Sequence, residues 1–144
     1  RFLMTQFFEV KKLTETARLP EKAHIDDAGW DLHADEDIIL HSYETKLVST
    51  GIALAIPSGY AGLIWDRSSL GVKGIHRHAG VIDSGYRGEV KVALKNTHDK
   101  SYVISTGDRI AQLIIQETPD FILQQVDELS KTVRDTGSFG STGK

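Results

Sequence analysis

The sequence predicts an all-β domain, a sandwich or jelly roll of short antiparallel strands. Two observations carry this. Short stretches rich in β-branched and aromatic residues recur along the chain, mostly bounded by Gly, Pro, Asp or Ser. No long 3.6-residue apolar pattern appears, so helices are minor elements. Many short strands at this spacing suit sheet-on-sheet architectures. A chain of 144 residues forms one domain, long enough to bury roughly two thirds of its unfolded surface.

Taken in order, the first expected strand is Phe7–Leu13, opened by two aromatic residues. Glu36–His41 follows, with Ile38, Ile39 and Leu40 in its centre. Thr45–Ile56 is a longer apolar run, closed by the turn Pro57-Ser58-Gly59. Tyr60–Asp66 leaves that turn as the next strand. Ser68–Lys73 is the one plausible helical piece, a turn or two long. A hairpin is expected at Gly80–Val90, where two apolar segments flank a Gly-containing turn. Its second strand, Glu89–Lys95, alternates Val90, Val92 and Leu94 with Lys91, Ala93 and Lys95, the mark of a half-buried strand. Tyr102–Ile104, Arg109–Gln116 and Phe121–Glu128 complete the set. Residues 1–130 thus form the core, and 131–144 a C-terminal segment without core periodicity. Met4 is read as the start of the native frame, with Arg1-Phe2-Leu3 an added remnant.

Composition narrows the function classes. Hydrophobic content of 40% and charged content of 26% are ordinary for a soluble globular protein. A net charge of −3 gives no global basic field, so no nucleic-acid partner is expected. A polyanionic substrate would have to be held by local Arg residues. The absence of cysteine excludes disulfides and thiolate metal sites and fits a reducing compartment. No apolar run is long enough for a membrane span, and no signal peptide is visible. A cytoplasmic or otherwise intracellular location is expected.

Two segments have chemistry beyond packing. Arg134-Asp135-Thr136-Gly137-Ser138-Phe139-Gly140-Ser141-Thr142-Gly143 combines a guanidinium, an aromatic ring, hydroxyls and glycines. Arg can clamp a phosphate, glycines let backbone N–H groups approach an anion, and Phe139 can stack on a base. The commoner role of such a segment is a disordered tail. In Gly80-Val81-Ile82-Asp83-Ser84-Gly85-Tyr86-Arg87-Gly88-Glu89-Val90, Asp83 ends an apolar run where a carboxylate has no packing purpose. It is either a turn-former bonded to local N–H groups or a general base beside a nucleotide slot. Arg67-Ser68-Ser69 opens the helical piece, which makes it an anion site or an ordinary N-cap.

Five segments in order weigh these alternatives together. They are Ala28-Gly29-Trp30-Asp31-Leu32, Arg67 to Gly74, the Gly80 to Val90 hairpin, Gly107-Asp108-Arg109-Ile110-Ala111-Gln112-Leu113-Ile114, and the C-terminal segment. Their order and spacing closely resemble the five motifs of the homotrimeric dUTPases, from about Ala28 to Lys144. The resemblance implies an antiparallel jelly roll that assembles as a three-fold trimer. Each active site would lie between subunits, with the tail of one covering a site built by the other two. It further implies hydrolysis of dUTP to dUMP and pyrophosphate with Mg²⁺, removing dUTP and supplying dUMP for thymidylate synthesis.

By the same resemblance, Asp83 activates the water that attacks the α-phosphorus. Arg67, Ser68, Ser69, Gln112 and Arg134 bind phosphates. Gly80, Val81, Ile82, Asp83 and Lys91 contact the nucleoside, and Tyr86 packs on the deoxyribose. Phe139, Gly140, Ser141 and Thr142 form the lid. Asp31 orients waters on Mg²⁺. Arg109 reads as structural or interfacial. The hairpin backbone would read the uracil edge, leaving cytosine with unpaired groups.

The chain departs from the family at Asp135 and Ser138, where Gly is common, and in the basic stretch His76-Arg77-His78 before the hairpin. His76 and His78 would need a third ligand to hold zinc. Three other functions compete. A dCTP deaminase would have its Glu at Ala93 and a helix Arg at Val72, and has neither. A nucleotide-controlled protein-binding module, its partner unknown, and an inert structural jelly roll are the others.

Overall fold

The computed structural model describes residues 6–143. Met4 and the three residues before it lie outside this range, as does Lys144. The architecture is all-β and antiparallel, as expected. Its strands are β1 (Glu9–Lys12), β2 (Trp30–His33), β3 (Ile38–Leu40), β4 (Thr45–Ala55), β5 (Tyr60–Trp65), β6 (Ile75–His78), β7 (Val81–Ile82), β8 (Glu89–Asn96), β9 (Tyr102–Ile104) and β10 (Arg109–Glu117). One short helix, α1 (Ser68–Gly71), lies between β5 and β6.

Two four-stranded sheets, ordered β1-β4-β8-β6 and β2-β10-β5-β7, are joined by the β3-β9 pair. All three close on one core. Val48, Ile52, Val90, Val92 and Leu94 come from the first sheet, Leu32, Ile64, Ile110 and Leu113 from the second, and Leu40 and Ile104 from the pair. The period-two pattern of β8 holds: Val90, Val92 and Leu94 are buried while Lys91 is exposed. Buried Asn96 is fully satisfied, donating to the Leu40 and Lys100 carbonyls and accepting from the His98 N–H.

Four local expectations are corrected. Trp30–His33, which is missing from the expected strands and holds Asp31, is a strand paired with β10 and bridged to Glu21. The segment is short and flanked by turn residues, so its strand character comes from the β10 ladder. Ile75–His78 is likewise a strand, on the edge of the first sheet beside β8. The Gly80–Val90 segment is not a hairpin in the pairing sense. β7 pairs with β5, and β8 with β4 and β6, so the chain crosses from one sheet to the other between them. Local sequence specifies the turn but not which sheet each arm joins. Finally, Phe121–Glu128 forms no strand within the chain. Phe121, Ile122 and Leu123 are 88%, 97% and 91% exposed and pair with no strand of this chain.

Candidate active site

The predicted residues gather into two groups. The first forms at the end of β5. Arg67 is the N-cap of α1, and no side chain caps the helix, so Ser68 and Ser69 are not the capping hydroxyls. Both serines are exposed at the first turn, with their hydroxyls free of the capping role. Arg67 reaches back to β2, its Nε 3.4 Å from Asp31 Oδ1, and its Nη1 donates to the Arg109 carbonyl at 3.3 Å. Arg109 Nη1 stands 3.6 Å from Asp31 Oδ2. Asp31 is therefore half-buried between two guanidiniums, which fix its direction.

Gln112 organises this group. It is paired with Asp31 on one side and Trp65 on the other, at the centre of β2-β10-β5. Its Nε2 donates to the Asp66 carbonyl at 2.8 Å, so the amide holds the residue just before Arg67. A Cβ at position 29 would come within 2.3 Å of Gln112 Oε1, so Gly29 makes room for the amide. The family resemblance implied a phosphate-binding role for Gln112. In the single chain one N–H of its amide is taken up by the Asp66 carbonyl.

The second group lines an open pocket of ≈ 600 Å³ formed by Gly80, Val81, Ile82, Asp83, Tyr86 and Lys91, with Leu47, Ile64, Glu89 and Val90. Six of these are sequence-predicted nucleoside contacts. Leu47 was missed because it arrives from β4, where it reads as one apolar residue in a core run. It is in fact 64% exposed, opposite Ala93. Asp83 is exposed, and its carboxylate makes no described hydrogen bond. Only its backbone carbonyl serves the turn, accepting the Tyr86 N–H at 3.1 Å. The turn-former alternative thus leaves the side chain without a task. Tyr86 Oη donates to the Glu89 carbonyl at 2.8 Å, holding the ring across the turn.

The single chain does not join these groups. Among the described residues, no hydrogen bond or ion pair links Asp83 or Tyr86 to Asp31, Arg67, Ser68 or Gln112. Asp31 and Arg109 instead line a polar pocket of ≈ 390 Å³ with Arg18, Lys22 and His33. His33 is 5% exposed and its Nδ1 has no partner. Burial lowers its pKa below the ordinary 6.5, with Arg18 and Arg109 adding to the shift and Glu21 and Asp31 opposing it.

Among the described residues, no hydrogen bond or ion pair ties the C-terminal segment to either group. Its last bond to the body is the Thr118 N–H to the Gly59 carbonyl at 2.8 Å. Farther on, Arg134 Nε bonds the Gly137 carbonyl at 3.0 Å, and the Asp135 N–H bonds Thr132 Oγ1 at 2.9 Å. Phe139 is fully exposed, and Ser141 and Thr142 are exposed beside it. Asp135 takes a left-handed φ of 45°, at a position where the sequence comparison expected Gly.

Comparison with known proteins supplies the context for these groups. The dUTPase family model matches residues 15–143. The deoxyuridine 5'-triphosphate nucleotidohydrolase of Paramecium bursaria Chlorella virus 1 is 47% identical over 137 residues, covering 93% of this chain and 96% of its own. Among solved structures, the Staphylococcus bacteriophage 80alpha dUTPase with dUpNHpp superposes with a TM-score of 0.92 at 34% identity, covering 97% of this chain and 100% of that one. It is described among phage dUTPases that control transfer of virulence genes by a proto-oncogenic G protein-like mechanism. A variant dUTPase from phage phi11 of S. aureus, with a coordinated structural Mg(II) ion, reaches a TM-score of 0.82 at 30% identity over 88% of this chain and 100% of that one. With a family match across nearly all of its length, relatives of similar extent and the same all-β architecture, this chain belongs to the dUTPase family of enzymes.

Proposed function

We propose that this chain hydrolyses dUTP to dUMP and pyrophosphate at sites shared between copies of a homotrimer. One observation carries the reading: the chain builds two complementary half-sites and does not join them. The ≈ 600 Å³ pocket offers backbone groups of Gly80–Ile82, the Tyr86 ring and an uncommitted Asp83 carboxylate, which suits a nucleoside and an attacking water. The β5–α1 group offers Arg67 and two exposed hydroxyls, which suits a phosphate chain. A dUTP molecule would need both, so the half-sites of different copies meet across an interface. The exposed Phe121-Ile122-Leu123 run supports the same assembly, since an apolar stretch without cover in its own chain is a natural interface element.

In this mechanism Asp83 takes a proton from the water that attacks the α-phosphorus in line. Arg67, Ser68, Ser69 and Arg134 stabilise charge on the phosphates. Gln112 holds the Asp66–Arg67 backbone in place and can turn its amide to a phosphate once substrate is bound. Tyr86 against the deoxyribose excludes a 2′-hydroxyl. Gly80–Ile82 present backbone donors and acceptors to uracil, and Lys91 borders the same slot. The segment Arg134–Thr142, with Phe139, Gly140 and Ser141, closes over the site from a third copy and excludes bulk water.

Mg²⁺ fits as a companion of the triphosphate. Asp31 is a single oriented carboxylate, and no group of three or more His, Asp or Glu among the described residues is arranged to hold an ion. Phosphate oxygens and waters would be its direct ligands, with Asp31 orienting the waters. When bound, Mg²⁺ neutralises phosphate charge.

The test is to incubate the protein with each dNTP and UTP in Mg²⁺ and measure pyrophosphate. Release from dUTP should far exceed that from dCTP, dTTP or UTP. Comparable turnover of UTP would remove the Tyr86 argument. Ammonia from dCTP would favour a deaminase, and no pyrophosphate from dUTP would overturn the reading.

A second reading, a nucleotide-controlled binding module, is favoured by the likeness to the phage 80alpha protein. Its mark would be a protein complex whose stability changes when dUpNHpp is added.

A further inference from the structure

We infer that Arg77 is a positioning residue for nucleoside binding, bracing the turn that launches the Gly80–Tyr86 pocket wall against the end of β5. The inference rests on the proposed dUTP site. Arg77 lies on β6, at the point where the chain leaves the first sheet to join the second as β7. Between these strands the backbone makes an unusual turn, with Ala79 at φ 58° and Gly80 at φ 112°. A left-handed alanine has no side chain to bond its own backbone, so such a turn must be held from outside.

Arg77 supplies the hold. Its Nη1 donates to the Ala79 carbonyl at 3.3 Å, and its guanidinium carbon lies 4.9 Å from the centre of the Trp65 ring. Its backbone N–H donates to Asp66 Oδ1 at 2.7 Å. A Cβ built on Gly80 would stand 3.6 Å from Arg77 Cδ, so the stem packs beside the first pocket residue. The Gly80 carbonyl in turn accepts the Ile64 N–H at 2.8 Å. One side chain therefore ties the start of the nucleoside wall to Trp65, two residues before Arg67 of the phosphate group.

The geometry also separates this role from plain structural support. Arg77 Nε is buried and has no partner. A buried donor without a partner opposes folding, so this atom adds nothing to what Arg77 contributes to stability. Replacing Arg77 by an apolar side chain of similar length removes that donor. Stability should hold or rise while the turn loses its brace.

The experiment compares wild type, Arg77→Met and Arg77→Lys for dUTP kinetics, dUMP binding and thermal unfolding. dUMP lacks the two outer phosphates, so it reads mainly the nucleoside wall. Arg77→Met should raise KM for dUTP and weaken dUMP by about tenfold, the scale of one lost hydrogen bond to a charged donor. Its inhibition by pyrophosphate should stay within about twofold of wild type, and its Tm should be equal or higher. Arg77→Lys keeps a cation beside Trp65 and one donor for Ala79, so it should bind dUMP more tightly than Arg77→Met. If the two bind dUMP equally, or if Arg77→Met matches wild type, the positioning role is wrong. If dUMP and pyrophosphate weaken together with a lower Tm, Arg77 is structural support and the inference is overturned. A wild-type protein that neither hydrolyses dUTP nor binds dUMP would overturn the proposed site as well, which distinguishes the two failures.

Discussion

At the residue scale, the proposed mechanism places the chemistry on Asp83, whose carboxylate is exposed in the pocket and makes no described hydrogen bond. Asp83→Asn keeps the shape and removes the base. Its kcat should fall by ~10²–10⁴-fold, while a non-hydrolysable dUTP analogue still binds. Near-normal kcat would take Asp83 out of the mechanism. Gly88 acts on specificity through contact. A Cβ there would fall 2.5 Å from Tyr86 Oη and 2.6 Å from Cζ, so Gly88→Ala must displace the ring. The preference for dUTP over UTP, read as a ratio of kcat/KM values, should drop by about tenfold. His33 gives a pH signature. Its folded pKa lies below 6.5, so its contribution to stability is complete above that pH and is lost as pH falls through and below it. Wild-type Tm should therefore decline more steeply than that of His33→Gln between pH 7 and pH 5, as thermal scans across that interval would reveal.

At the scale of elements, the proposed function gives the C-terminal segment a role outside its own chain. Its described hydrogen bonds are local, and it adds nothing to the core. Truncation after Lys131 should leave unfolding and oligomer size unchanged while turnover collapses through lost phosphate contacts and water exclusion. A truncated protein of full activity would make the segment a plain tail. Legibility at this scale followed the reach of the forces. β4, β5, β8, β9 and β10 were readable because alternation and turn residues are local signals. β2 and β6 were not, since short segments such as Trp30–His33 become strands only when β10 or β8 offers a ladder. Phe121–Glu128 failed in the opposite sense. Its residues favour a strand, but it pairs with none of the strands of this chain.

For the whole molecule, the proposed three-fold assembly with a shared tail makes a quantitative claim. In such a ring, Asp83→Asn and the truncation after Lys131 would each disable every site of their own homotrimer. Denatured, mixed equally and refolded, they should form sites that take Asp83 from a truncated chain and the tail from an Asp83→Asn chain. Random assembly around a three-fold ring makes this about one site in four, so activity should return to roughly a quarter of refolded wild type. No recovery, with mixed trimers seen by native mass spectrometry, would mean that each chain covers its own site.

The sequence by itself determined the all-β class and the five motifs that carry the family resemblance, from which the phosphate role of Arg67-Ser68-Ser69 and the nucleoside role of Asp83 and Tyr86 are proposed. Residue types and short-range order set these, and both are written along the chain. Only the tertiary structure decided that β7 and β8 join different sheets, that Leu47 borders the pocket, that Gln112 holds Asp66, and that Arg77 braces the turn before Gly80. Each of these joins residues from separate strands, and such contacts follow from how the two sheets close on a shared core.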